Sequence, residues 1–456
     1  MSIVYSRQLH RLNQRIARQP VEFRPEGRVV QVNKDRVSIE GLQPAIGSRC
    51  TVLCSSDERV PLGARVIATY KHGAILAIDS SVSPVPGDRV LQDQRQHQLP
   101  SAKRLRGRVV DAFAKPVDGA GMINPGAVVS GAAPRRLALD SARIDTRMST
   151  GVRAIDALLP LGYGQRVGLL AASGVGKTEL MGMLAQHVNV DRVVVALVGE
   201  RGREVVEFVT STLDEKVRQK SIVVAEPAGS TALRRRQCAE TAMRLAEDFR
   251  SQGQSVLLLL DSLSRYADAC RELALAAGEP AGSDGFPASV MQSMINLIER
   301  AGMGVSGEGS ISLIATLLLA ADERINPVAD CARAVLDGHI VLSSELANQG
   351  IYPAIDPLAS VSRLADSLQQ QVDYQAAGNF RRFYATWIEQ RDLVLSGMYQ
   401  RGASEAIDRA IACWPLMLEF IQQHRSEYAA SADSLLALRQ LFHNPETPGF
   451  AEGAHA

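Results

Sequence analysis

The stretch from Gln165 to Gln186 constrains this chain more than any other. Apolar Val167 to Leu170 run into Ala171-Ala172-Ser173-Gly174-Val175-Gly176-Lys177-Thr178, and apolar Leu180, Met183 and Leu184 follow at helical spacing. The pattern predicts a strand, a small-residue loop and a helix. Small residues are needed there because successive backbone N–H groups curl around phosphate oxygens only where no Cβ intrudes. A Lys then reaches the β/γ-phosphates, and a hydroxyl suits Mg²⁺. Ser173, Gly174, Val175, Gly176, Lys177 and Thr178 are therefore the expected phosphate cradle, with Thr178 also a metal ligand. Ala171 stands where the strict pattern opens with Gly. A Gly-rich strand-to-helix turn that binds nothing is the plain alternative, and a Gly-Lys-Thr triplet at that switch argues against it.

From Thr150 to about Ser362, apolar runs alternate with helical patterns: Val167 to Leu170, Arg192 to Val198, Ile222 to Val224, Val256 to Leu260, Ile311 to Leu318 and Ile340 to Leu342. Such alternation predicts a mainly parallel sheet covered on both faces, with ligands at the carboxyl ends of its strands. After about Ala365 the strand signal vanishes. Amphipathic segments at Phe380 to Ser396, Glu405 to His424 and Asp433 to Phe442 predict a helical carboxyl-terminal domain.

Toward the other end, Val21 to about Leu91 holds short alternating runs separated by Gly, Pro and Asp turns, which predicts a small closed β-barrel. Residues 1–20 pattern as a helix with Tyr5, Leu9, Leu12 and Ile16 on one face and Arg7, Arg11, Arg15 and Arg18 opposite. A partner-binding arm, a presequence, a membrane-surface helix and a helix packed on its own domain all fit that pattern. The expected organisation is thus α/β: arm 1–20, barrel 21–91, connector 92–149, P-loop domain 150–364, helical domain 365–444 and disordered tail 445–456.

Charge and cysteine usage narrow the classes. The net charge of +1 over 456 residues, 22% of them charged, gives no overall pull toward nucleic acid or membrane. Phe23 and Tyr70 are the only aromatics of the barrel segment, too few for base-stacking platforms, so nucleic acid is not an expected partner. Six scattered cysteines form no Cys-x-x-Cys pair, and Cys50 and Cys54 fit a shared core face. With no apolar run of about eighteen residues, the expected location is cytoplasmic.

Two acidic residues end apolar strands. The run Ser255-Val-Leu-Leu-Leu-Leu closes on Asp261, about eighty residues beyond the loop, which fits the carboxylate that orients Mg²⁺ together with Thr178. Glu200 follows the Arg192 to Val198 run and is placed to polarise an attacking water. An acid serving a helix N-terminus is the alternative there.

Four segments occur in order: Gly174-Val-Gly-Lys-Thr178, Gly199-Glu-Arg-Gly-Arg-Glu204, Leu258-Leu-Leu-Asp-Ser-Leu-Ser-Arg-Tyr266 and Tyr352-Pro-Ala-Ile-Asp-Pro-Leu-Ala-Ser-Val-Ser-Arg363. Together they resemble the rotary ATPase α/β family over nearly the whole chain. The resemblance implies a RecA-like central domain, ATP and Mg²⁺ as ligands, and Glu200 as the catalytic glutamate. It further implies that Arg201 and Arg265 line the site, that Tyr352 packs on adenine, and that Arg363 is an arginine finger entering a neighbour's site. A finger of that kind requires a ring, by family likeness a homohexamer.

Within that family Thr150-Gly-Val-Arg-Ala-Ile-Asp-Ala-Leu-Leu159, Asp330-Cys-Ala-Arg-Ala-Val-Leu-Asp-Gly-His-Ile-Val-Leu342 and Gly397-Met-Tyr-Gln-Arg-Gly402 most resemble the type III protein-export ATPases, the flagellar ones in particular. That implies a regulatory coiled-coil dimer docking on the arm, a stalk protein, export chaperones and substrates. It also implies a seat beside the inner membrane, with acidic lipid as a further contact of the arm. Ala172, Ala288, Met291 and the turn Ala112-Phe-Ala-Lys115 depart from the family pattern outside the catalytic set. An injectisome ATPase, a catalytic ATP synthase subunit and an RNA translocase share the core and remain the rival expectations.

Overall fold

The computed structural model describes residues 25–33, 36–55, 61–80, 82–93, 99–123, 128–129, 142–282, 284–319 and 326–442. The expected arm over 1–20 and tail over 445–456 lie outside them. The described residues fall into two compact units dividing after Gln96.

The first unit is a closed barrel of six antiparallel strands: β1 (Glu26–Asn33), β2 (Arg36–Glu40), β3 (Arg49–Leu53), β4 (Leu62–Tyr70), β5 (Gly73–Ile78) and β6 (Arg89–Gln92). Their order around the barrel is β1-β2-β5-β4-β3-β6, with β6 returning to β1. The alternation seen in the sequence places Val29, Val37, Ile39, Val52, Ala64, Val66, Leu76 and Val90 inside. Cys50 and Cys54 are both buried in this core, and burial pushes the Cys50 thiol up to about 12. Bulges in β1 after Val29 and in β4 after Val66 supply the extra twist that closure of so small a sheet requires. Tyr70 donates its hydroxyl to the Ile39 carbonyl at 2.6 Å, which ties its ring to the wall.

The second unit is built on a sheet whose order, by residue range, is Val361–Ser362, Gly338–Val341, Arg166–Ala171, Ser310–Leu318, Ser255–Asp261, Arg192–Glu200, Ser221–Pro227 and Val109–Val110. Its strand pairs are parallel except at Val361–Ser362 and at Gly302–Met303, which pairs with Ser310–Leu318. Because the central strands are buried on both faces they carry continuous apolar runs. Val193, Val195, Leu257 and Leu259 face one core, and Val194, Ala196, Leu258 and Leu260 the other. Helices Lys177–His187, Gln371–Leu395, Glu405–Ile421 and Ser431–Leu441 cover the first face. Helices Ala232–Ser251, Leu263–Ala276, Ala288–Glu299 and Pro327–Val335 cover the second.

Two features differ from the sequence reading. The segment expected as a connector contributes the edge strand Val109–Val110, paired with Val223 and Val224. The Asp111 turn after it is held by Arg234, which donates to Asp111 at 3.0 Å and to Glu226 at 2.7 Å. The first long helix of the carboxyl-terminal region starts at Gln371 rather than Phe380. Its added turns bury only the small residues Ala376 and Ala377 together with Asp373, a weak amphipathic signal.

Candidate functional site

Three strands of one sheet edge, two of them separated by Ser310–Leu318, bring three charged side chains to one place. The strand Arg166–Ala171 ends at the loop, and helix Lys177–His187 begins after Gly176. Gly176 adopts φ +89°, and a Cβ there would lie 3.1 Å from the Tyr352 ring. Only glycine takes that backbone cheaply while letting an aromatic ring close over the loop. Lys177, the first residue of the helix, donates its Nζ to Asp261 Oδ1 at 2.6 Å and stands 3.8 Å from Glu200 Oε1.

Asp261 closes the strand Ser255–Asp261 and is buried. Its Oδ1 also accepts the hydroxyl of Thr316 at 2.6 Å. Glu200 ends the strand Arg192–Glu200 just past a register shift after Val198, where Gly199 takes φ +69°. A Cβ on Gly199 would sit 3.3 Å from Arg235 Cδ and 3.4 Å from Arg265 Cβ. Both arginine stems therefore pack over the peptide that aims Glu200, and the positive φ together with this close packing favours glycine there. Among the described residues Glu200 Oε1 is buried without a hydrogen-bond partner. Burial pushes its carboxyl up to about 7, the charge of Asp261 adds to the rise, and Lys177 opposes it.

A cavity of about 420 Å³ adjoins the loop. Gly176, Glu179, Tyr352 and Pro353 form one side, and Gln422, His424 and Arg425 contribute another. Gln423, only 3% exposed, locks that second wall in place. Its backbone N–H bonds the Tyr352 carbonyl at 2.9 Å. Its side-chain amide donates to the Gly151 and Glu427 carbonyls and accepts from the Arg153 N–H at 2.7 Å.

The remaining expected residues stand at varied distances from this centre. Thr178 is exposed beside the loop. Arg265 is exposed in the first turn of its helix, its N–H capped by Ser262. Arg201 turns to solvent and pairs with Glu204 at 3.6 Å, outside the Lys177, Glu200 and Asp261 cluster. Arg363 lies at the opposite end of the sheet. Its backbone N–H bonds the Asp337 carbonyl, whose own N–H bonds the Arg166 carbonyl at the start of the loop strand. Its guanidinium donates to the Arg333 carbonyl at 3.0 Å.

The donor set fits magnesium. Thr178 and Asp261 offer hard oxygens on adjoining elements, and among the described residues both donors that Asp261 accepts fall on Oδ1, leaving Oδ2 without one. The sequence reading did not single out Thr316, Gln422, Gln423, His424 or Arg425. A lone Thr in the apolar half of Ser310–Leu318 was the one signal that pointed to any of them.

A glycine loop on a helix N-terminus, with a lysine and two carboxylates at the carboxyl edge of a parallel sheet, defines a P-loop nucleoside triphosphatase. Residues 151–362 match the ATP synthase alpha/beta family, nucleotide-binding domain, and residues 369–440 match the T3SS EscN ATPase C-terminal domain. The chain is 45% identical over 382 residues to the flagellum-specific ATP synthase of Salmonella typhimurium, spanning 83% of this chain and 80% of that protein. It is 40% identical over 418 residues to the flagellum-specific ATP synthase of Pseudomonas aeruginosa, spanning 91% and 93%. Among solved structures it is similar to the assembled ATPase EscN of the enteropathogenic E. coli type III secretion system. The TM-score is 0.85 at 35% identity, over 91% of this chain and 99% of that one. EscN in complex with its central stalk EscO aligns with a TM-score of 0.79 at 33% identity, with the same coverages. The chain belongs to the ATP synthase α/β family and, within it, to the type III export ATPases.

Proposed function

We propose that this protein hydrolyses ATP to ADP and phosphate to energise type III protein export, in its flagellar form. The carrying observation is the convergence of Lys177, Asp261 and Glu200 on one sheet edge, with Lys177 within 2.6 Å of one carboxylate and 3.8 Å of the other. The flagellar assignment is supported by the curated relatives above, both flagellum-specific ATP synthases, at 45% and 40% identity.

Binding exchanges one partner of Lys177 for another: its ammonium leaves Asp261 for the β/γ-phosphates, which the loop N–H groups of Ser173 to Thr178 surround. Mg²⁺, when held by Thr178 and Asp261, neutralises charge on the transferred phosphoryl group. Glu200 orients the attacking water and must be ionised to do so. Tyr352 stacks on the base in the adjoining cavity, and Arg265 borders the phosphoryl end. Arg363 acts in the next subunit of a hexameric ring, a reading supported by the assembled form of the similar EscN. By likeness to the EscN and EscO complex, a stalk protein threads that ring. The residue 1–20 arm docks a coiled-coil regulatory dimer, with acidic lipid as its second contact, and seats the ring in the cytoplasm at the inner-membrane export apparatus. Export chaperones and their substrates are the cargo partners. Among the described residues no helix is long and apolar enough to cross a membrane.

Phosphate release measured with Mg²⁺ alone, with export chaperones and with poly-pyrimidine RNA tests this reading. Hydrolysis that requires Mg²⁺, and that chaperones rather than RNA stimulate, is expected. RNA stimulation without a chaperone effect would favour the translocase alternative.

A further inference from the structure

Thr316 occupies the carboxyl half of the strand Ser310–Leu318, where Ile314, Ala315, Leu317 and Leu318 are apolar. The strand lies between the loop strand and the strand that ends in Asp261. Its register sets Leu169 of the loop strand beside Thr316 on one side, and pairs Ala315 with Leu260 on the other, so Asp261 is the next residue along. Thr316 is fully buried, and its hydroxyl donates to Asp261 Oδ1 at 2.6 Å. A buried hydroxyl in an apolar strand is costly unless bonded, and a valine would fill the same volume without that cost. Here the hydroxyl is bonded, and what it bonds is the buried Asp261 carboxylate rather than a backbone group.

The terminal torsion of an aspartate is broad, so its carboxylate turns unless something holds one oxygen. Among the described residues two donors hold Oδ1, Lys177 Nζ and Thr316 Oγ1. When Lys177 moves to phosphate, Thr316 is the protein donor that stays. We infer that Thr316 is a positioning residue that pins Asp261 Oδ1 and so presents Oδ2 to the magnesium shell throughout the nucleotide cycle. The inference rests on the Mg²⁺-dependent ATPase reading above.

The test is binding of a fluorescent ADP analogue, titrated with Mg²⁺ and repeated in EDTA, for the wild type, Thr316→Val and Thr316→Ser. A hydrogen bond to a charged group corresponds to about tenfold or more in affinity. Thr316→Val should therefore bind the analogue as the wild type does in EDTA but need about tenfold more Mg²⁺ for half-maximal enhancement, and Thr316→Ser should restore the wild-type curve. Equal Mg²⁺ midpoints in Thr316→Val and wild type, or an equal loss of binding in EDTA, would overturn the inference and leave the ATPase reading intact. A wild type indifferent to Mg²⁺ would overturn the reading itself and the inference with it. If Thr316→Val does not fold, Thr316→Ala against Thr316→Ser decides the same question by the same midpoints.

Discussion

Replacing Arg363 by Ala should silence hydrolysis while leaving nucleotide binding unchanged, because geometry bars the residue from its own loop. The Arg363 backbone is level with Arg166, through hydrogen bonds that run by way of Asp337. Arg166 opens a six-residue strand whose far end, Ala171, enters the loop. Five steps of about 3.3 Å separate the two ends by about 16 Å, more than an arginine side chain spans. An arginine finger contributes about 10³ to 10⁵ in rate, or about 4 to 7 kcal/mol of transition-state stabilisation. Arg363→Ala and Lys177→Ala should each be nearly inactive, one lacking the finger and the other the phosphate lysine. In a ring with head-to-tail contacts, random mixing in equal amounts pairs an intact loop with an intact finger at about a quarter of interfaces. Independent sites would then restore about a quarter of wild-type phosphate release, and coupled sites less. Light scattering should report the ring mass in the same samples. Mixed rings as inactive as either parent would refute action across the interface, as would an Arg363→Ala protein with undiminished turnover.

Since the Glu200 carboxyl sits near 7 instead of its ordinary 4.5, and the protonated form cannot orient water, kcat/KM should climb with pH through about 7 and level above it. A profile flat from pH 5.5 to 8.5 would contradict that role. Glu200→Gln should keep nucleotide affinity and lose turnover, since the interaction is made in the transition state. The same shift has a stability consequence: the folded protein keeps a proton that the unfolded chain has released, so this contribution is full below 4.5 and lost as pH rises through about 7. Melting temperatures of Glu200→Gln at pH 5 and 8 should differ less than those of the wild type. In the arm, Leu9→Asp with Leu12→Asp should weaken capture of the regulatory dimer by orders of magnitude, each buried Leu being worth about 1.5 to 3 kcal/mol, with basal hydrolysis unchanged. Loss of hydrolysis in the isolated variant would instead place that face in the protein's own core.

Runs buried on both faces made the central sheet legible, because Val193 to Val198 and Val256 to Leu260 admit no polar partner on either side. The barrel was legible from alternation except at β6, whose four residues are too few to show a period. Val109–Val110 was invisible for a related reason, since two residues carry no pattern and become a strand only by pairing with Ser221–Pro227. At the site, residues at strand ends could be read because a strand end is a fixed address. Asp261 and Glu200 are placed for that reason, and Lys177 joins them because a fixed loop ties its helix to the end of Arg166–Ala171. Arg201 could not, because its direction depends on how a short helix sets off from Glu200, and it turns to solvent toward Glu204. The Gln422 to Arg425 wall could not either, being brought to Tyr352 by packing between segments about seventy residues apart.

The Gln423 clasp has a mechanical reading. The wall beside Tyr352 follows directly on the helix Glu405–Ile421, and Gln423 fastens it at once to Tyr352, Gly151 and Arg153. The pocket is therefore a jaw with one plate on the sheet and the other on the helical end of the chain. A ligand that gripped both plates would resist a torque on those helices, and by reciprocity such a torque would change its affinity by the same free energy. The loop side of the pocket and the carboxyl-terminal helices thus share one residue, Gln423, as their axle pin.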